Sequence, residues 1–85
     1  MADVEIYTQH WCPYCVRAKQ LLERKGVTYR EIEAPHGSPA RAEARQRAGG
    51  STSVPQIFVD GAHIGGCDAL MALERSGKLD PLLTA

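Results

Sequence analysis

Two cysteines separated by two residues give this sequence its clearest chemical signal. Cys12 and Cys15 enclose Pro13 and Tyr14. One thiolate of such a pair can attack a disulfide sulfur, and the second thiol can then resolve the mixed disulfide that forms. With Cys67 the chain has three cysteines, and an odd number in a short chain fits a reducing compartment better than a secreted disulfide scaffold.

The position of the pair predicts that the two thiols are unequal. The alternation of apolar and polar residues over 4–7 predicts a strand, and Pro13 suits the first turn of a helix. Cys12 then lies at a helix N-terminus, where unpaired backbone N–H groups and the helix dipole favour a thiolate. Cys15 falls one turn later on the apolar face, so we expect it to be less exposed and to act second.

A structural zinc site is the main alternative use of these cysteines. Zinc in such sites takes four ligands, commonly from two cysteine pairs or from a cysteine pair and a histidine pair. The sequence contains no second Cys-x-x-Cys and no His-x3-His. We therefore predict redox chemistry and no metal.

The rest of the chain predicts the elements that position the pair. A second strand is expected over 27–32. Ser38 and Pro39 open a polar helix that ends at Gly49 and Gly50. Asp60-Gly61 favours a hairpin between two strands. The predicted hairpin strands are 56–59 and 62–64, and the last helix has Asp68 in its first turn and ends at Gly77, with one further short turn at Asp80-Pro81.

This order, β-α-β-α-β-β-α, predicts an α/β fold with a mixed four-stranded sheet flanked by helices. With 85 residues, we expect one domain over residues 1–85. Ten basic and ten acidic residues give a formal net charge of zero, which disfavours nucleic acid as a partner. We find no apolar run of membrane-spanning length and no leader-like start, so we expect a cytoplasmic monomer without membrane association.

Three motifs together resemble those of the dithiol glutaredoxins, close to the bacterial glutaredoxin 3 type. They are Cys12-Pro13-Tyr14-Cys15, Ser53-Val54-Pro55 and Gly65-Gly66-Cys67-Asp68, and they follow the family order along nearly the whole chain. The resemblance implies a thioredoxin-like fold, a cis peptide bond before Pro55 and glutathione as the reducing co-substrate. It also implies a groove for one glutathionyl group between the three motifs.

The resemblance assigns roles at both ends of glutathione. The main chain of Val54 pairs with its cysteinyl part, and the backbone N–H groups at Cys67 and Asp68 receive its γ-glutamyl carboxylate. Gln9 stands where the family often has Lys, so Arg41 is an alternative partner for the glycine carboxylate. Ala69 replaces a second acidic residue of the family. The full set of implied glutathione contacts is Gln9, Tyr14, Arg41, Ser53, Val54, Pro55, Gly66, Cys67 and Asp68.

The function that follows is glutathione-dependent reduction of glutathionylated mixed disulfides and of protein disulfides. Cys12 is the expected nucleophile and Cys15 the resolving thiol. The implied partners are glutathione and glutathionylated or disulfide-containing proteins, with ribonucleotide reductase as a candidate. Two alternatives stay open: a redoxin reduced by thioredoxin reductase, and a dimer holding a [2Fe-2S] cluster through Cys12 of two chains and two glutathiones. The stiff Pro13-Tyr14 pair disfavours the cluster.

Overall fold

A computed structural model describes residues 2–84 of the chain as a mixed α/β structure. The predicted elements are present, and one helix is added at the C-terminal side. The elements in chain order are β1 (Val4–Thr8), α1 (Pro13–Arg24), β2 (Tyr29–Glu33), α2 (Pro39–Arg47), β3 (Gln56–Val59), β4 (Ala62–Gly65), α3 (Cys67–Arg75) and α4 (Leu79–Leu83).

The four strands form one sheet in the order β2-β1-β3-β4. β1 is parallel to β2, as a strand-helix-strand unit requires, and antiparallel to β3, which is antiparallel to β4. The end of β1, the start of β3 and the end of β4 therefore meet at one edge of the sheet. That edge carries the loop before Cys12, the loop before Pro55 and the Gly65-Gly66 junction, so the topology gathers the three sequence motifs.

Two apolar layers cover the two faces of the sheet. The larger layer lies under α1, α3 and α4 and includes Ile6, Leu22 and Ile57. The smaller layer lies under α2 and consists of Tyr7, Ala34, Ala44 and Phe58. Only Ala44 of α2 is buried, which confirms the expectation of a polar helix.

Three strands, β1, β2 and β4, end one residue later than expected, at Thr8, Glu33 and Gly65. Two other boundaries also differ from the sequence expectation. The second strand starts at Tyr29 and not at 27, because the Val27 N–H bonds the carbonyl of Leu22 and still belongs to the turn after α1. The short turn expected at Asp80-Pro81 is instead a helix starting at Leu79, without a side-chain cap. Burial of Leu79 and Leu83, one helical turn apart, stabilises it.

Candidate active site

Cys12 is the N-cap residue of α1, and its extended backbone ends the loop that leaves β1. Its Sγ accepts a hydrogen bond of 3.1 Å from the backbone N–H of Cys15. The same sulfur lies 3.9 Å from the carbonyl oxygen of Val54. The sulfur is thus held at the N-terminus of a helix, the position that the sequence predicted.

Cys15 is the more buried of the pair, with 2% of its surface exposed against 9% for Cys12. Burial, together with the hydrogen bond and negative charge of Cys12, raises the pKa of the Cys15 thiol to about 12. A backbone hydrogen bond from Gln9 and the ammonium of Lys19 act in the opposite direction on this pKa but do not offset it. Cys15 therefore stays a neutral thiol at physiological pH as long as the Cys12 sulfur is not part of a disulfide.

Trp11 directly precedes the cysteine pair and, unlike the two cysteines, is exposed to solvent. Its side chain is 99% exposed, and its φ of 57° lies in the left-handed region that bulky residues rarely adopt. Tyr14, inside the motif, is 55% exposed, and the guanidinium of Arg17 lies 5.7 Å from the centre of its ring. Two aromatic side chains therefore remain open to solvent on either side of Cys12.

A groove of about 380 Å³ lies beside the cysteine pair, within the 300–1,000 Å³ typical of small-molecule sites. All three motifs contribute to its walls, and the Val54-Pro55 peptide bond is cis, as the resemblance implied. Seven of the nine implied glutathione contacts line this one groove. The lining residues are Tyr14, Ser53, Val54, Pro55, Gly66, Cys67, Asp68 and Ala69.

Two glycines at the end of β4 allow α3 to start close to the loop of Pro55. Gly65 has a φ of 123°, and a Cβ there would lie 2.8 Å from the Cβ of Ala69. Gly66 is the N-cap of α3, and a Cβ there would lie 3.3 Å from the Pro55 carbonyl. These two positions bring the N-terminal N–H groups of α3 to the wall of the groove.

Cys67 and Asp68 begin α3 with different exposure. Cys67 is buried, and burial raises the pKa of its thiol, with a further increase from the Asp68 carboxylate. Asp68 is exposed in the first turn of the helix. The Cys67 side chain is therefore an apolar, protonated group, whereas Asp68 presents a carboxylate to the groove.

Gln9 and Arg41 do not line the groove but contact each other. One guanidinium nitrogen of Arg41 donates to Gln9 Oε1 at 2.8 Å and to the Ala34 carbonyl at 2.9 Å. The other donates to the Thr52 carbonyl at 2.8 Å. Arg41 instead lines a second cavity of about 340 Å³, next to Thr52 and Arg45, and it ties three loops together at the site.

Three residues near the groove escaped the sequence analysis as site residues: Gln56, His63 and Ala69. Ala69 lines the groove, and only the family pattern drew attention to its position. The Gln56 side chain is 2% exposed and bonds to Ser53 and His63. A glutamine at the first position of an otherwise apolar strand was the available signal for Gln56.

Two classes of site find no support among residues 2–84. No group of three or more His, Cys, Asp or Glu side chains in this range is placed to hold a metal ion. None of the helices described in this range is long and apolar enough to cross a membrane.

A strand-helix boundary with an N-capping cysteine, a second cysteine one turn later and a facing cis-proline loop define the thioredoxin-like class of thiol–disulfide oxidoreductases. A family model described as glutaredoxin matches residues 4–64. The chain is 59% identical to a glutaredoxin of Pseudomonas aeruginosa over the full length of both proteins. It is 55% identical to glutaredoxin 3 of Escherichia coli K12, covering 98% of this chain and 99% of that protein. The chain therefore belongs to the glutaredoxin family.

Solved structures agree with this assignment. The buckwheat glutaredoxin–glutathione complex matches with a TM-score of 0.86 and 37% identity, covering 98% of this chain and 77% of that one. The solution structure of a glutaredoxin from Brucella melitensis matches with a TM-score of 0.83 and 55% identity, covering 98% of this chain and 89% of that one. The thioredoxin-like fold and the thiol–disulfide oxidoreductase activity expected from the sequence are thus confirmed at the level of the family.

Proposed function

We propose that this protein reduces glutathionylated mixed disulfides and protein disulfides at the expense of glutathione. The observation that carries the proposal is the groove itself. It has the size of a small-molecule site, and Val54 in its wall lies 3.9 Å from the Cys12 sulfur. A related chain with 37% identity was solved as a complex with glutathione. A glutathionyl group in the groove would thus have its sulfur next to Cys12.

The reaction balances as two thiol–disulfide exchanges. The Cys12 thiolate attacks the glutathione sulfur of a mixed disulfide, the bond to the substrate sulfur breaks, and the substrate leaves as a thiolate that takes a proton from water. A second glutathione thiolate then attacks the Cys12-bound glutathione. This step releases Cys12 as a thiolate and forms glutathione disulfide, in which one half is the added glutathione and the other half is the glutathionyl group of the substrate. One glutathione thiol is therefore consumed for each mixed disulfide reduced.

Protein disulfides require Cys15. After Cys12 has attacked, the substrate remains bound to Cys12 as a mixed disulfide and Cys12 no longer carries a negative charge. The hydrogen bond and charge of Cys12 that raise the Cys15 pKa are then lost, while the lowering contributions of Gln9 and Lys19 persist. Cys15 becomes easier to deprotonate at the stage when its attack on the Cys12 sulfur breaks the bond to the substrate and forms the Cys12–Cys15 disulfide. Two glutathione thiols then reduce this disulfide in two exchanges and leave as glutathione disulfide.

The walls of the groove supply groups suited to each part of glutathione. The main chain of Val54, following Ser53 and preceding Pro55, can pair with the cysteinyl residue as an added strand does. The free N–H groups at the start of α3, beyond Gly66, suit the γ-glutamyl carboxylate, and the Asp68 carboxylate suits its ammonium group. Cys67 contributes through its backbone, because its side chain is buried.

The remaining contacts lie at the outer parts of the site. The half-exposed ring of Tyr14 can pack on the glutathione backbone. For the glycine carboxylate we propose Gln9 and Arg41, since a guanidinium has five N–H groups and Arg41 uses three of them in its bonds to Gln9, Ala34 and Thr52. The physiological setting we propose is a cytoplasmic, single-domain monomer acting on glutathionylated and disulfide-containing proteins.

Glutathione-coupled kinetics of three proteins test this function. Wild type, Cys12→Ser and Cys15→Ser are assayed on a glutathionylated peptide with glutathione and glutathione reductase. We expect Cys12→Ser to be inactive and Cys15→Ser to retain activity on this substrate but lose it on a protein disulfide. Activity of Cys12→Ser, or faster turnover of wild type with thioredoxin reductase than with glutathione, would overturn the proposal.

A further inference from the structure

The buried amide of Gln56 connects two parts of the site that the sequence does not place together. Its Nε2 donates to the Ser53 carbonyl at 3.0 Å and lies within 3.3 Å of the hydroxyls of Ser51 and Ser53. Its Oε1 lies 2.6 Å from Nε2 of His63 on β4. The polar atoms of this side chain, which is 2% exposed, thus link β4 to the loop before Pro55.

The surroundings of Gln56 fix which way its amide points. One of the three oxygen atoms around Nε2 is the Ser53 carbonyl, which can only accept, so Nε2 must be the amide NH2 group. Oε1 can then only accept, so His63 donates its Nε2 proton to it, and the His63 ring lies against Phe58 at 5.1 Å between ring centres. A reversed amide would place its oxygen 3.0 Å from the Ser53 carbonyl oxygen with no proton between them.

The bond to the Ser53 carbonyl determines the direction of the next N–H group. The Ser53–Val54 peptide is trans, so its carbonyl and the Val54 N–H point in opposite directions. Gln56, which does not line the groove, holds this carbonyl on its own side. The Val54 N–H therefore points away from Gln56. On the preceding residue, Arg41 holds the Thr52 carbonyl from α2.

We propose that Gln56 is a positioning residue for the glutathionyl group, and that His63 fixes the orientation of Gln56. Gln56 touches no reacting atom. It presets the Ser53–Val54 peptide so that this main chain meets the cysteinyl part of glutathione without having to be ordered first, which favours binding. This inference rests on the proposed function, since it concerns the same groove.

The test compares two substrates that differ only in the group carried by the attacked disulfide. One peptide is glutathionylated at its cysteine, and the other carries mercaptoethanol on the same cysteine. Single-turnover rate constants of the reduced protein with each are measured under limiting substrate. We expect Gln56→Met, which keeps the length but removes both polar ends, to lower the glutathionyl rate constant about tenfold, the effect of one lost hydrogen bond. The mercaptoethanol rate constant should stay within about twofold.

Matched variants separate positioning from general damage. His63→Phe keeps a ring against Phe58 but removes the donor, and should lower only the glutathionyl rate, by about threefold. His63→Gln restores an N–H donor and should recover that rate. Ser51→Ala leaves the bond to the Ser53 carbonyl intact and should have no effect. The inference is overturned if Gln56→Met and His63→Phe each lower the rate constants for the two substrates equally. It is also overturned if neither variant lowers either rate constant.

The proposed function and the inference fail in different ways. A wild-type protein that reacts no faster with the glutathionylated peptide than with the mercaptoethanol peptide overturns the proposed function. The arrangement of the loop is then judged by nuclear magnetic resonance without any glutathione. Gln56→Met must shift the Val54 amide signal more than Ser51→Ala does, and an unshifted Val54 signal overturns the inference by itself.

Discussion

Titration of the Cys15 thiol offers a quantitative test of the proposal that Cys12 and Cys15 play different roles. In the reduced protein, burial and the neighbouring Cys12 raise the pKa of Cys15 from 9.0 to about 12. Three pH units correspond to about a thousandfold smaller thiolate fraction at neutral pH than in an ordinary cysteine. Because the thiolate is the species that reacts, Cys15 alkylation at neutral pH should be slower by at least this factor.

The assay follows each thiol separately across the pH range. Reduced protein is treated with iodoacetamide, and peptide mass spectrometry gives the rate of modification at Cys12, Cys15 and Cys67. The Cys15 rate should rise about tenfold per pH unit up to roughly pH 11 with no plateau near 9. The carbon-13 chemical shift of the Cys15 Cβ reports ionisation directly and removes the effect of restricted access.

A variant and an unfolded reference test the causes given for the raised pKa of Cys15. Cys12→Ser removes the charge that opposes Cys15 ionisation, so the Cys15 midpoint should fall but stay above 9.0, because burial is the largest cause of the shift. The wild-type protein unfolded in guanidinium is the reference, in which the three thiols should react alike. A Cβ midpoint near 9 for Cys15 in the folded, reduced protein would refute the argument.

Three further predictions concern stability. The guanidinium of Arg47, which bonds to Glu5, lowers the pKa of the Glu5 carboxyl below 4.5. The contribution of ionised Glu5 to the unfolding free energy is therefore complete above pH 4.5 and is lost as the pH falls through the lowered pKa. Glu5→Gln should flatten the fall of the unfolding free energy at acid pH. Leu22→Ala in the larger core layer should cost about 2–5 kcal/mol in urea unfolding, while the more exposed Leu82→Ala should cost under about 0.5 kcal/mol. Gly65→Ala should destabilise the protein and weaken glutathione binding, because the new Cβ meets Ala69 at 2.8 Å.

Each of these stability predictions has a result that would count against it. An acid limb of unchanged slope in Glu5→Gln would show that the ion pair does not form in solution. Equal losses for Leu22→Ala and Leu82→Ala would contradict the difference in their burial. For Gly65→Ala, adding Ala69→Gly removes the clash and should restore part of the stability, with the left-handed φ accounting for the remainder; no recovery would exclude the steric explanation.

The sequence predicted the features that rest on local chemistry. The positions of Pro13 and Ser38 at helix starts follow from backbone rules that need no tertiary partner. The meeting of the three motifs followed from strand order, because β1, β3 and β4 bring them to one edge. The unequal burial of Cys12 and Cys15 followed from helix periodicity.

Contacts between distant side chains escaped sequence reasoning. Nothing in the local pattern indicates that Arg41 on α2 reaches Gln9 after β1, since helical charges are usually solvated. The link from Gln56 to His63 depends on hairpin register and on burial that neither residue type implies. The start of α4 at Leu79 was missed because its stability comes from packing and not from a cap.

Trp11 gives the protein an optical property of its own. It is the only tryptophan in the chain, and its ring stands almost wholly in water one residue before the reacting sulfur. Its emission therefore has no background from other indoles and originates beside the bond that forms and breaks. Each change in the covalent state of Cys12 should alter the quenching of this emission, so the oxidation state of the molecule can be read from its intrinsic fluorescence without an attached dye.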